Sequence, residues 1–238
     1  MENILEVKGV GKNFGGFTAL SDVNLSIRKG ERLGLIGPNG SGKTTLISCI
    51  SGALQNDGGT IRFNGESIET LPAYARTRRG IARSFQIPRP FASMTVLENL
   101  MVPLAYVGGL SGSKARAQGL EILDEMGLAE KAESSSASLS QVELRKMELA
   151  RAMAAKPQLL ISDEAMAGLS GSEVDDVLDI LIKLNKQGIT IIMIEHIMHA
   201  VMRFSERIIC LDAGQIICDG DPKTVVGNPQ VQRAYLGD

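Results

Sequence analysis

The stretch Gly37-Pro38-Asn39-Gly40-Ser41-Gly42-Lys43-Thr44-Thr45 fits GxxxxGK[ST] with no substitution. Glycines at this spacing let the backbone curl so that successive N–H groups point inward at phosphate oxygens. A helix starting at the end of such a loop adds its positive N-terminal pole. Lys43 supplies a mobile positive charge for the β- and γ-phosphates, and the Thr44 hydroxyl can ligate Mg²⁺. A second group belongs with this chemistry. Leu159-Leu160-Ile161-Ser162 runs into Asp163-Glu164. Asp163 would hold the metal through water, and Glu164 would polarise an attacking water. A strand ending in Asp-Glu is ordinary surface chemistry by itself; beside a phosphate loop it supplies the metal-holding carboxylate that a nucleotide clamp needs.

Both groups need elements to hold them. Leu33 to Ile36 is a short apolar run before the loop, and Thr45 to Ser51 is compatible with a helix after it. Val23, Leu25 and Ile27 alternate with polar neighbours, as in a half-buried strand. Thr60 to Phe63, Asn64-Gly65 and Glu66 to Ile68 read as a hairpin. From roughly Thr95 to Ala155 the pattern is mostly helical, with a Gly/Ser break from Gly108 to Ser113. The run Ser134 to Ser136 reads as a flexible linker. Val174, Val177, Leu178, Leu181 and Ile182 mark an amphipathic helix. Ile189 to Ile194 is continuously apolar, the pattern of a strand buried on both faces of a parallel sheet. Arg207 to Asp212 and Gln215 to Cys218, joined by Ala213-Gly214, form a second hairpin signal.

Composition narrows the class. With 25 Lys and Arg against 27 Asp and Glu, the balance lacks the basic excess of a generic nucleic-acid binder. Three scattered cysteines, Cys49, Cys210 and Cys218, make neither a disulfide framework nor a metal-ligand cluster; they read as thiols in a reducing compartment. No leader pattern opens the sequence, and no run reaches the about 20 apolar residues needed to span a bilayer. A cytoplasmic protein is expected.

The order of these motifs resembles that of the ATP-binding-cassette (ABC) ATPases, and more narrowly the transporter ATPase subunits of branched-chain amino-acid and amide uptake systems. Lys12-Asn13-Phe14-Gly15-Gly16, Arg83-Ser84-Phe85-Gln86 with Phe91, Met94 to Leu100, and the ending from Asn228 through Tyr235-Leu236-Gly237 carry the narrower likeness. The resemblance implies an α/β fold: a P-loop NTPase (RecA-like) core sheet with an N-terminal antiparallel β subdomain and a helical subdomain. One ABC ATPase domain would cover 1–238, with 1–86 and 156–238 as nucleotide-binding core and 87–155 as the helical subdomain. It implies that Phe14 stacks on adenine, though by composition alone Phe14 would be a core residue. Gln86 would touch the metal and the attacking water, and His196 would contact the γ-phosphate. His199 has no such match and is expected to be structural.

Two stretches depart from the family pattern. The signature, usually Leu-Ser-Gly-Gly-Gln or a close variant, is Leu139-Ser140-Gln141-Val142-Glu143 here. Ser140-x-x-Glu143 before an apolar-periodic helix also reads as a capping box. The resemblance has Ser140 reach ATP in trans, across a dimer. After the metal strand, Ala165 replaces a usual proline, and Ser170 stands where Asp or Asn is more common. Both departures affect the dimer contact, so ATP binding is expected to be ordinary while turnover depends on the correct partner. The implied partners are a second ABC ATPase subunit (an identical copy or a paralogue), transmembrane permease subunits that would hold this chain peripherally on the inner face of the cell membrane, and indirectly a substrate-binding protein. No nucleic acid is expected. The alternatives are the ATPase of a lipid or lipopolysaccharide exporter, a soluble non-transport ABC ATPase, and a P-loop kinase, in which Gln86, the signature helix and His196 would have no task.

Overall fold

The computed structural model describes residues 2–85 and 87–236. Gln86 and Gly237 lie outside the described residues.

The first part is β structure around one helix: β1 (Asn3–Phe14), β2 (Phe17–Arg28), β3 (Arg32–Ile36), α1 (Lys43–Ser51), β4 (Gly58–Phe63) and β5 (Glu66–Ser67). A connecting stretch follows, α2 (Ala73–Arg78) and β6 (Ile81–Ser84), and then three helices, α3 (Val96–Tyr106), α4 (Gly112–Glu125) and α5 (Gln141–Ala154). The last third alternates: β7 (Leu159–Asp163), α6 (Gly171–Lys186), β8 (Thr190–Ile194), α7 (Met198–Phe204), β9 (Arg207–Asp212), β10 (Gln215–Gly220), α8 (Pro222–Val226) and α9 (Pro229–Leu236).

Two sheets result. An antiparallel sheet runs β2-β1-β4-β5, and a six-stranded sheet runs β10-β9-β3-β8-β7-β6. In the second, β3 pairs in parallel with β8 and β9, and β7 pairs in parallel with β6 and β8. The continuous apolar runs of β7 and β8 are buried at every position, as a sheet covered on both faces requires. The pairs Leu35↔Ile194, Ile36↔Cys210, Asp163↔Ile194 and Ser84↔Ser162 bring the carboxyl ends of β3, β8, β9, β7 and β6 to one edge. A ligand site is expected there in an open α/β sheet. The phosphate loop, Asp163-Glu164 and His196 leave the sheet at that edge.

The helical arm is not packed separately. Leu97, Leu100, Leu123 and Met147 join Leu160, Ile191 and Met193 of the sheet in one apolar cluster. A second cluster joins both sheets beneath α1, through Val7, Leu25, Leu46, Ile50 and Ile209. Cys49 and Cys210 are buried free thiols, and Cys218 is half-buried. Among the described residues no helix is long and apolar enough to cross a membrane.

The linker reading of Ser134 to Ser136 is overturned. Ser136 is fully buried, and its hydroxyl donates to the Phe91 carbonyl at 3.2 Å. The Ser134 carbonyl accepts from Val96 N at 3.0 Å, and Ser135 pairs with Thr95. A serine run has few apolar atoms, but short hydroxyls bond neighbouring backbone well. Here they secure the start of α3, whose cap is Thr95 in a capping box with Glu98. The core reading of Phe14 is also overturned: it is 47% exposed. His199 is exposed on α7, so it fills no core position.

One buried cation anchors the helix behind the loop. Arg76 is 1% exposed. Its guanidinium donates to the carbonyls of Leu71 and Glu69 at 2.9 Å, and to those of Cys49 and Ile50 in the last turn of α1. Helix C-termini leave carbonyls unsatisfied, and a cation there complements the dipole. Arg76→Met should therefore cost roughly 3 kcal/mol, because several buried carbonyls lose their donor. Thermal unfolding should show it as a fall of roughly 6–12 °C at this chain length, with Arg76→Lys intermediate.

Candidate nucleotide site

Gly37 leaves β3 with φ 149, and a Cβ there would lie 2.1 Å from the Leu211 carbonyl oxygen, so no larger residue fits. Gly42 has φ 104 and forms the N-cap of α1 without a side-chain cap. The first N–H groups of α1 are thus left for an anion. Lys43 is buried, and its Nζ donates to the carbonyls of Gly37 at 2.7 Å and Pro38 at 3.0 Å. Burial lowers the lysine's pKa, with Glu164 and Asp163 opposing the shift. The two carbonyl contacts fix where the ammonium sits within the loop.

A cavity of about 250 Å³ opens beside the loop, lined by Asn39 through Thr45, Glu164 and His196, with Phe14, Phe17 and Ala19 at its other side. Most of the expected site residues are therefore in one place. Phe14 and Phe17 pair across the β1–β2 hairpin, and both rings are largely exposed. Phe17 was not singled out in the sequence; its only signal is its place directly after Gly15-Gly16.

Glu164 follows β7 with φ 47, a conformation costly for a non-glycine residue and often found at functional sites. Its N–H donates to the Ile194 carbonyl at 2.9 Å, which ties it to the end of β8. Its Oε1 lies 3.2 Å from His196 Nε2. A carboxylate in hydrogen-bond reach of an imidazole, at the mouth of a phosphate cavity, can take a proton from water and be oriented while doing so.

Asp163 is buried and faces Arg83, whose Nε and Nη2 approach Asp163 Oδ2 at 3.2 and 2.5 Å. Sequence reasoning used Arg83 only as a family marker, since nothing local pairs it with a carboxylate 80 residues away. Thr44 is exposed to the cavity. The buried Ser41 Oγ has no hydrogen-bond partner among the described residues. Among them, too, no group of three His, Cys, Asp or Glu side chains could enclose a metal. This donor set suits Mg²⁺, which takes hard oxygens, keeps several waters and relies on substrate phosphates. Thr44 and Asp163 would hold it, and it would neutralise phosphate charge.

Ser140 is exposed at the start of α5 and does not line the chain's own phosphate cavity. The capping box is present: Glu143 N donates to Ser140 Oγ at 3.3 Å, and Ser140 N to Glu143 Oε2 at 2.8 Å. Glu143 also faces Lys131 at 3.6 Å. At the start of α6 the geometry differs: the Ser170 N–H and hydroxyl both donate to the Glu173 carboxylate, at 2.8 and 2.7 Å. Both departures from the family pattern thus close helix starts. The loop between β7 and α6 is gripped from two sides. Gln141 Nε2 and Arg145 Nη2 donate to the Ala167 carbonyl at 3.4 and 3.2 Å. Met166 N donates to Glu195 Oε1 at 2.9 Å. Glu195 is 2% exposed, and burial pushes its carboxyl up to about 7 despite the bond from Met166; Glu164 adds to the shift, and Arg145 opposes it.

A phosphate loop, a buried aspartate that ends the adjoining strand and a Glu-His pair at the carboxyl edge of parallel strands define a P-loop ATPase. The family model described as ABC transporter matches residues 20–167, and that described as branched-chain amino acid ATP-binding cassette transporter matches 215–238. The chain is 38% identical to the high-affinity branched-chain amino acid transport ATP-binding protein BraF of Pseudomonas aeruginosa, covering 99% of this chain and 98% of that one. It is 34% identical to the lipopolysaccharide export system ATP-binding protein LptB of Haemophilus influenzae, with the same coverage. The crystal structure of the ADP conformation of an ABC transporter cassette matches all of both chains, with a TM-score of 0.92 and 31% identity. A dimeric cassette in a post-hydrolysis state with ADP and Pi matches 92% of this chain and 98% of that one, with a TM-score of 0.83 and 28% identity. The chain belongs to the ABC transporter ATPase family; it binds and hydrolyses ATP.

Two measurements follow. Glu164→Gln should lower kcat by about 10²-fold or more while leaving the Kd for Mg-ATP within a few-fold, as read by single-turnover hydrolysis and equilibrium binding. Glu195 bears on stability. Its carboxyl is protonated in both folded and unfolded chains below pH 4.5. From there to about 7 only the folded chain holds the proton, and above 7 a buried charge remains. Its contribution to stability therefore falls as pH rises through this window. Glu195→Gln should remove that slope, gaining up to roughly 2–3 kcal/mol on wild type between pH 5 and pH 8; melting temperatures across the range read it.

Proposed function

We propose that this chain powers a membrane importer of branched-chain amino acids or related amides, with Glu164 as general base. Its full-length likeness to BraF carries the transport reading, and the match over 215–238 favours the importer over the exporter type. The loop amides, the α1 N-terminus and Lys43 would bind the phosphates, and Phe14 would stack on adenine. Glu164 would accept the proton of the attacking water as its oxygen bonds the γ-phosphorus and the bond to ADP breaks. His196 would orient Glu164 and bridge to the γ-phosphate. Gln86 keeps the role the resemblance implies.

The site is half of a working one. Ser140 lies outside the chain's own cavity, which supports its acting on ATP held by a second cassette, identical or paralogous. Closure around the γ-phosphate would bias the pair, and hydrolysis would release it.

Residues 87–155 form the arm that would transmit this motion to a permease. A cavity of about 460 Å³ lies between the arm and β6, lined by Phe85, Phe91, Pro103, Tyr106, Arg151 and Ala152 among others. Of these, Phe85, Phe91 and Tyr106 expose large apolar surfaces. Such exposure at one groove marks an interaction site; a cytoplasmic segment of the permease is its proposed occupant, which would hold the chain at the inner membrane face. Co-expression with the permease tests this. The purified complex should hydrolyse ATP about tenfold faster than the isolated chain, a usual size for coupling between sites. Equal rates for the isolated chain and the complex would overturn partner-dependent turnover. Co-purification of an exporter's membrane subunits in place of an importer's would overturn the direction.

A further inference from the structure

Two aromatic side chains stand at the tip of the β1–β2 hairpin. Phe14 and Phe17 are the last partners of that antiparallel ladder, joined through Gly15-Gly16. Residues directly opposed on an antiparallel pair project to the same face, with Cβ atoms about 5 Å apart. Ala19 lies two residues beyond Phe17 on β2 and so shares that face. The neighbouring pair, Asn13 and Thr18, faces the other way, and the Thr18 hydroxyl donates to Asn13 Oδ1 at 2.8 Å.

The apolar face of the hairpin meets the phosphate loop. Phe14, Phe17 and Ala19 line the same cavity of about 250 Å³ as Asn39 to Thr45, Glu164 and His196. The Ala19 carbonyl sits against Gly42, where an added Cβ would lie 2.6 Å from it. The fold therefore fixes the hairpin against the start of α1. One end of the cavity offers an ammonium and backbone amides; the other offers two rings and a methyl group. A nucleotide has the same polarity, with charged phosphates at one end and a flat base at the other.

The two rings differ in their support. Lys12 Nζ lies 5.6 Å from the centroid of the Phe14 ring. Asp57 holds that ammonium at 2.6 Å and accepts from the Asn13 N–H at 2.7 Å. Phe14 is thus positioned by β1 and by the stretch before β4. Phe17 carries the more open ring of the two, 62% exposed. Covering so much apolar surface is favourable, and a base stacked on Phe14 would lie next to it.

We propose that Phe17 is a second binding residue for the nucleotide base: Phe14 takes one face of the base, and the Phe17 ring packs beside it. This rests on the nucleotide reading of the cavity. The Phe17 ring is mostly open to water before ATP enters and covered afterwards, so its contribution falls on the complex and not on the free chain. The test is Phe17→Thr, which removes the ring and keeps a strand-forming residue, with Phe17→Tyr as the conservative variant. Three quantities are measured: the Kd for Mg-ATP, the Kd for Mg-tripolyphosphate, which presents phosphates without a base, and the melting temperature of the nucleotide-free chain. In Phe17→Thr the Mg-ATP Kd should rise about tenfold, within the usual effect of losing one stacked ring. The tripolyphosphate Kd and the melting temperature should stay near wild type, and Phe17→Tyr should keep the Mg-ATP Kd within about twofold. An unchanged Mg-ATP Kd in Phe17→Thr would overturn the proposal and leave the ring to a protein partner. Equal weakening of ATP and tripolyphosphate would overturn it too, by placing the effect on the loop and not on the base. If wild type itself fails to bind Mg-ATP, the nucleotide reading falls instead, so the two failures are told apart.

Discussion

The parallel pairing of β3 with β8 and β9, and of β8 with β7, is the constraint on which the site depends. In a parallel sheet every strand ends at the same edge, so whatever follows each strand meets there. The phosphate loop follows β3, Glu164 follows β7, and Glu195-His196 follows β8. A shift of one residue in the β7–β8 register would turn each inward side chain to the opposite face and move Glu164 away from the Ile194 carbonyl that holds it. The full burial of β7 and β8 makes such a slip costly. The chemistry at the edge is therefore held by apolar packing well behind it.

Around that edge, several polar contacts connect the segments that follow β6, β7 and β8 with the start of α5. Arg83 places the end of β6 on Asp163. Gln141 and Arg145, at the start of α5, and Glu195, beside His196, hold opposite sides of the loop that follows β7. The altered signature lies in this network. Its Ser140 and Glu143 cap α5, and Ser170 and Glu173 bond each other at the start of α6, so two helix starts are held by residues in the segments that depart from the family pattern. Losing the glycines removes a close backbone approach, but the serine hydroxyl and the helix N-terminus remain.

Much of the site was legible in the sequence because its parts are local. The loop from Gly37 to Thr45 needs only its own glycines, lysine and threonine, flanked by one strand and one helix. Asp163-Glu164 were legible as polar residues at the end of an apolar strand, and His196 through the family resemblance. The Ser134 to Ser136 run was not, because its hydrogen bonds go to Phe91, Thr95 and Val96, about 40 residues away in sequence. Arg83 and Glu195 were not either: each looks unremarkable beside its neighbours and gains its role from a distant group. Phe14 misled on composition, since aromatic residues are commonly buried, and it became a binding-site candidate only through the motif around it.

By itself, the sequence determined the chemistry of the phosphate loop, the strand and helix pattern and the family, because periodicity and short motifs are set by neighbouring residues. Only the tertiary structure decided that Glu164 meets His196, that Arg83 holds Asp163, and that Glu195 is buried deeply enough to titrate near neutrality. Each of these depends on which distant groups the parallel sheet brings together, and on how much water their packing leaves between them.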